Sequence, residues 1–283
     1  MQLFLKALKE AMSMADEGRE VRRVRALFLS DVHLGMRPTR IVQLCDFLRW
    51  HEAETIYLVG DIVDGWRLAK SWFWPAEYHQ LVELFLEKAL NGTRIVVLPG
   101  NHDEFLREYL GTYFGEVEMV DRTVHTTAQG KTYLVIHGDQ FDVVVAHAKW
   151  LAHVGDWAYR FALRVNVVIN WVRRRLGLTY WSLSAWAKHK VKNAVSVIGR
   201  FEEALTLAAR DAGVDGVICG HIHYADMHDR MGIHYVNTGD WVESCTAVVE
   251  TFEGALELVL WTETPQPRKP RRLRFRRAPA AGS

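Results

Sequence analysis

Five short clusters of Asp, His and Asn interrupt this sequence where apolar runs end: Asp31-Val32-His33, Gly60-Asp61-Ile62-Val63-Asp64, Gly100-Asn101-His102-Asp103, His137-Gly138-Asp139 and Gly220-His221-Ile222-His223. Imidazole nitrogens and carboxylate or amide oxygens hold divalent cations, and imidazole also moves protons near neutrality. One such cluster carries little weight, because an isolated Asp-x-His is more often surface or core decoration. In Gly220-His221-Ile222-His223 the two imidazoles lie two residues apart on an extended segment, close enough to reach two adjacent ions. Two ions about 3.5–4 Å apart can clamp an in-line displacement at phosphorus. If the five clusters converge, that chemistry is within their reach.

Convergence depends on the elements that carry them. Residues 24–30, 55–59, 94–98, 132–136 and 216–219 read as buried strands, each ending at one of the clusters. Residues 38–52 and 76–90 carry apolar positions at helical spacing, and a long helical stretch reaches about residue 212. Residues 233–261 read as three more strands, and 103–109 as a short helix. Strand, loop and helix in alternation predict an α/β fold, in which sites form outside the carboxyl ends of the strands.

With 49% hydrophobic and 24% charged residues in 283, the chain can bury a sizeable core and is not disordered as a whole. Its net charge is only +1, yet residues 145–200 hold ten Lys/Arg against one acid, Asp156, and residues 268–277 hold seven against none. Two basic regions on an otherwise acidic chain point to an anionic partner. Cys45, Cys219 and Cys245 are too few and scattered for a disulfide framework, so a reducing compartment is expected. No apolar run reaches the roughly 18 residues of a membrane span. Residues 1–21 are expected to form an amphipathic helix rather than a signal peptide, because Lys6, Lys9 and Glu10 interrupt the apolar positions. The main domain is expected over 22–263, with an insertion at about 143–200 and a basic, disordered tail over 264–283.

As an ordered set, the five clusters resemble the motifs of calcineurin-like metallophosphoesterases, over roughly residues 24–251. The resemblance implies an α/β metallophosphoesterase β-sandwich flanked by helices, with a helical lid insertion and a two-metal centre. It implies Asp31, His33, Asp61 and His223 around the first ion and Asp61, Asn101, His137 and His221 around the second. Asp61 would bridge them, and a hydroxide between the ions would be the nucleophile. His102 would assist the leaving group or stabilise charge on phosphorus, with Asp103 orienting its ring, and Asp64 would stand behind the ligands. Such a donor set without thiolate suits Mn²⁺ first, with Fe²⁺ or Zn²⁺ as alternatives, rather than Ca²⁺.

Gly65-Trp66 follows Asp64 where protein phosphatases of this superfamily carry Arg, which disfavours that subgroup. Gly60-Asp61-x-x-Asp64-x-Trp66 with His137-Gly138-Asp139 instead resembles the branch of UDP-2,3-diacylglucosamine pyrophosphatases of lipid A biosynthesis. One position departs from that branch: His102 stands where Arg is usual. The resemblance implies hydrolysis of a nucleotide-linked glycolipid to UMP and lipid X by a cytoplasmic enzyme peripherally associated with the inner membrane. The insertion interleaves aromatic with basic residues, and an aromatic inner face with a basic rim would suit acyl chains joined to a diphosphate. Arg173, Lys188 and Lys192 are its candidate substrate contacts, and the tail could rest on an anionic membrane surface. The competing reading is a phosphodiesterase or nuclease, whose basic regions would follow a nucleic acid backbone. A scaffold that has lost catalysis is disfavoured, because none of the seven ligand positions is missing.

Overall fold

The computed structural model describes residues 20–37, 39–141 and 184–261, with side chains from residue 198 onward in the last segment. The elements run β1 (Arg22–Leu29), α1 (Ile41–Arg49), β2 (His51–Val59), α2 (Gly65–Lys70), α3 (Ala76–Leu90), β3 (Arg94–Leu98), a 3₁₀ turn (Glu104–Tyr109), β4 (Tyr113–Phe114), β5 (Val117–Met119), β6 (Thr123–Thr126) and β7 (Thr132–Val135). A second 3₁₀ turn (Asp139–Phe141) and α4 (Ser184–Asp211) lead into β8 (Gly216–Cys219), β9 (Asp226–Arg230), β10 (Ile233–Asn237), β11 (Thr246–Glu250) and β12 (Leu256–Leu260).

Two sheets form. One has the order β12-β11-β1-β2-β3-β5-β4 and the other β6-β7-β8-β10-β9. β1, β2, β3 and β5 are mutually parallel, as are β7, β8 and β10, while β11, β12, β4, β6 and β9 join antiparallel. Alternation along the inner strands explains the stacking. Ala26, Phe28, Tyr57, Val59, Val96, Leu98, Tyr133, Val135 and Ile218 point between the sheets. Their neighbours Leu27, Leu29, Ile56, Leu58, Ile95 and Val97 point the other way, onto a layer containing Leu44, Phe47 and Leu48 of α1 and Tyr78 and Leu81 of α3. On the far side Leu134, Ile136, Val217 and Cys219 meet Phe201, Leu205 and Ala209, which recur every four residues along α4. Because both faces of each inner strand are covered, the runs read as continuously apolar. The α/β expectation therefore takes the form of four layers, helix, sheet, sheet, helix.

The amphipathic helix expected over 1–21 falls on undescribed residues up to 19, and Arg22 already belongs to β1. Most of the expected insertion and the whole tail also lie outside the described residues. The insertion's expected end near residue 200 falls inside α4, which continues to Asp211 and packs on β8 and β10. Among the described residues, no helix is long and apolar enough to cross a membrane.

Candidate metal centre

The loops after β1, β2, β3, β7 and β8 meet at one rim of the sandwich, three from the first sheet and two from the second. Donor atoms of Asp31, His33 and His223 lie within 4.8 Å of one another, and so do those of Asp61, His137 and His221. Asp61 links the groups: its Oδ2 is 3.7 Å from His33 Nε2 and 3.4 Å from His137 Nε2. The other oxygen of each acid is held by the protein. Asp61 Oδ1 accepts the His102 N–H at 2.8 Å, and Asp31 Oδ2 accepts Ser30 Oγ–H at 2.5 Å and the His221 N–H at 2.9 Å. Asp31 Oδ1 is left facing His223 Nε2 at 3.1 Å and His33 Nε2 at 3.8 Å.

The backbone that achieves this is unusual. Asp31, His33, Asp61, His221 and His223 all have φ between 52° and 72°, a left-handed conformation that costs an L-residue on the order of 1–3 kcal/mol each. Five of the seven described non-glycine residues with positive φ are therefore candidate ligands. Two glycines are fixed by close approach instead. A Cβ on Gly100 would overlap the Asp61 carboxylate and come 2.6 Å from His137 Nε2, and one on Gly220 would lie 2.5 Å from Asp31 Oδ2.

Imidazole nitrogens and carboxylate oxygens crowd together at the centre of this arrangement. His137 Nδ1 sits 2.8 Å from the Val59 carbonyl, which can only accept, so Nδ1 carries a hydrogen and Nε2 is left facing Asp61. His33 Nε2 and His223 Nε2 stand 3.2 Å apart, and the buried Asn101 Oδ1 has no hydrogen-bond partner. Burial alone would lower the His137 pKa, but Asp61 and Asp31 outweigh it and push it up to about 10. Burial likewise opposes ionisation of Asp31, yet His223 and His33 hold its carboxyl well below the usual range. The two carboxylates draw positive charge to these atoms, which a proton or a cation can supply. The donor set of imidazole, carboxylate and amide oxygen, without thiolate, fits two divalent cations sharing Asp61.

Six of the seven expected ligands fall in these two groups, and Asn101 lies on the loop after β3 with its Oδ1 buried. The expected roles of His102 and Asp103 divide differently. His102 lies beside the first group, its ring 4.6 Å from that of His33. Asp103 does not orient it: the buried Asp103 carboxylate instead accepts N–H groups of Gly100, Asp61, Ile62 and Val63 at 2.6–3.3 Å, tying the β3 loop to the β2 loop. The carboxylate beside the imidazole belongs to Asp64, whose Oδ1 is 3.2 Å from His102 Nδ1 and also caps α2 through the Arg67 N–H at 2.9 Å. The Trp66 ring centre is 4.4 Å from that of His102, a contact not expected from sequence. Asp64 and Trp66 both belong to the Gly60-Asp61-x-x-Asp64-x-Trp66 pattern, which placed Asp64 behind the ligands and gave Trp66 no role. Arg173 lies outside the described residues. Lys188 and Lys192 fall on the first turns of α4, whose side chains are also outside them.

The sequence model of the calcineurin-like phosphoesterase family matches residues 24–225. The chain is 32% identical over 127 residues to a UDP-2,3-diacylglucosamine hydrolase of Porphyromonas gingivalis, a match spanning 42% of this chain and about half (47%) of that relative. It is 23% identical to the UDP-2,3-diacylglucosamine hydrolase of Chromohalobacter salexigens, covering 76% of this chain and 88% of the other. To that of Haemophilus influenzae it is 22% identical, covering 80% and 94%. With most of its length matched and its donor groups gathered at one rim, the chain belongs to the calcineurin-like phosphoesterase family of metal-dependent phosphohydrolases.

Proposed function

We propose that this protein hydrolyses the phosphoanhydride of a nucleotide-linked glycolipid, UDP-2,3-diacylglucosamine, to UMP and lipid X at the cytoplasmic face of the inner membrane. The observation that carries the hydrolytic part is the pair of donor groups sharing Asp61 Oδ2, with an imidazole at their edge. The substrate assignment draws on the three relatives and on the basic, aromatic composition of the insertion.

Asp31, His33, Asp61 and His223 would hold one cation and Asp61, Asn101, His137 and His221 the other, with Mn²⁺ the first choice. Two bound cations supply Lewis acidity toward the phosphoryl oxygens and toward water. The chain does the rest. The Val59 carbonyl keeps His137 Nε2 turned to the centre, and Ser30 with the His221 amide keeps Asp31 from turning away. His102, with the Asp64 carboxylate 3.2 Å from its Nδ1, would donate a hydrogen bond to the phosphoryl group as negative charge builds on it. A phosphate leaving group is a weak base and needs little protonation, so charge stabilisation is the larger part of that role. Neutral Asn101 limits the negative charge that an anionic substrate must approach.

The test is UMP release from UDP-2,3-diacylglucosamine in the presence of Mn²⁺. Release supports the assignment. Absence of release from protein that still hydrolyses bis(p-nitrophenyl) phosphate removes the lipid substrate and keeps the hydrolase.

A further inference from the structure

Directly beyond Asp64 the chain reads Gly-Trp-Arg-Leu-Ala-Lys-Ser-Trp-Phe-Trp-Pro over residues 65–75, with three Trp, one Phe, two cations and no acid. Its first half is α2, none of whose residues is buried. Trp66 is 46% exposed at the mouth of the metal centre, and Trp72 is 75% exposed. Trp72 is nonetheless held in place. Its ring stacks on Trp74 at 5.8 Å between centroids, and Trp74 in turn lies edge-on to the buried Tyr78 of α3 at 5.4 Å. Phe73 rests on the same Tyr78 at 5.8 Å, with the Arg37 guanidinium 3.6 Å above its ring. The tip is a braced aromatic ledge, two rings seated on α3 and one standing proud of them.

Around the ledge stand Arg37, Arg67 and Lys70, all exposed, and among the described residues none of these three is in an ion pair. The three cations are hydrated at no cost, but an indole braced in water forgoes the burial its apolar surface would gain. The arrangement matches the interface of an anionic bilayer, where Trp sits at headgroup depth and Arg and Lys meet phosphates. Because Trp66 and Asp64 are two residues apart, a membrane contacted here also faces the rim where Asp61 and His102 lie.

We propose that residues 66–74 together with Arg37 form the surface by which this protein docks on an anionic lipid bilayer, Trp72 being the side chain that enters the headgroup region. The inference rests on the reading of the substrate as a membrane-held glycolipid, and its test is separable from that reading. Full-length protein is sedimented with vesicles of phosphatidylcholine containing phosphatidylglycerol, and with vesicles of phosphatidylcholine alone. Binding to the anionic vesicles is expected to exceed binding to the neutral ones and to weaken with salt. Trp72→Ser is expected to lower the partition coefficient roughly tenfold. Arg67→Ala with Lys70→Ala is expected to lower it roughly 25-fold, at about fivefold per cation. Melting temperature and turnover of bis(p-nitrophenyl) phosphate should stay at wild-type values in both variants. Wild-type binding that is absent, equal on neutral vesicles, or unchanged by these substitutions overturns the proposal. So does a Trp72→Ser variant that dissociates a dimer in solution, since a second copy would then be the occupant. Vesicle binding as expected without UMP release would overturn the substrate and leave the docking surface standing.

Discussion

Asp61 and Glu250 are both buried acids surrounded by imidazole, and they lie in different parts of the sandwich. Glu250 is paired with Ala26 of β1, well before that strand's carboxyl end. It accepts four hydrogen bonds: two from Arg25 Nη1 at 2.8 and 2.9 Å, one from His125 at 2.8 Å and one from the Ala128 N–H at 2.8 Å. Tyr57, an obligate donor to an unprotonated ring nitrogen, stands 3.1 Å from the other nitrogen of His125, so every polar group in the chain of contacts has a partner. Asp61 lies beyond the carboxyl end of β2. One of its oxygens takes a single backbone N–H, and the other faces only imidazole nitrogens at 3.4 and 3.7 Å. Burial and charge are common to both regions. What separates a binding centre from a structural ion pair is that its lone pairs point at a shared place and its backbone is held in a left-handed conformation to aim them there.

The largest effect that would separate the two regions is on turnover. Asp61→Ala should lower kcat/KM on a phosphodiester by about 10³-fold or more, since both cation sites lose a donor. In chelator the same variant should be destabilised by less than Glu250→Ala, because the lost contacts are one backbone hydrogen bond and imidazoles at 3.4 and 3.7 Å, and the repulsion from Asp31 is relieved. Glu250→Ala should do the reverse: removing the acid strands Arg25 and His125 and costs about 3–5 kcal/mol in urea unfolding. The protein that remains folded should keep its turnover. If Asp61→Ala destabilises as much as Glu250→Ala does, the contrast between the regions is broken.

Asp64→Asn sharpens it. The variant keeps the α2 cap but removes the charge beside His102, and kcat should fall about 10- to 100-fold with little change in KM or metal content. Asp103→Asn should act mainly on stability, because its carboxylate holds backbone N–H groups of two loops.

The smallest effect is on pH dependence. Burial lowers the His125 pKa below its ordinary 6.5, and Glu250, which pulls it upward, does not fully offset this. Below about pH 6.5 the unfolded chain therefore binds a proton that the folded one resists, and stability contributed by neutral His125 is lost as pH falls through that window. Urea midpoints of wild type and His125→Gln measured from pH 8 to 5 should converge at the acid end.

Much of the centre was legible because the inner strands are buried on both faces, so their apolar runs stop abruptly at the polar clusters. α3 follows residues 76–90 as its spacing predicts, and α1 is shorter than its predicted 38–52. β4, β5 and β6 left no such trace, being two to four residues long and largely unburied. β9, Asp-Met-His-Asp-Arg, is a polar edge strand specified by pairing with β10 rather than by its own pattern. The partner of His102 was misassigned because adjacency in sequence favoured Asp103, whereas consecutive side chains in a turn point apart and Asp64 arrives from another strand's loop. Glu250 and His125 are 125 residues apart, and no local signal joins them.

The most direct measurement is the binding stoichiometry of Mn²⁺, by calorimetric titration of chelator-stripped protein with parallel elemental analysis. Wild type should bind two ions per chain, and Asp61→Ala at most one, held at least about tenfold more weakly. A single ion in wild type, or two held undiminished by Asp61→Ala, would contradict a centre built on a shared carboxylate.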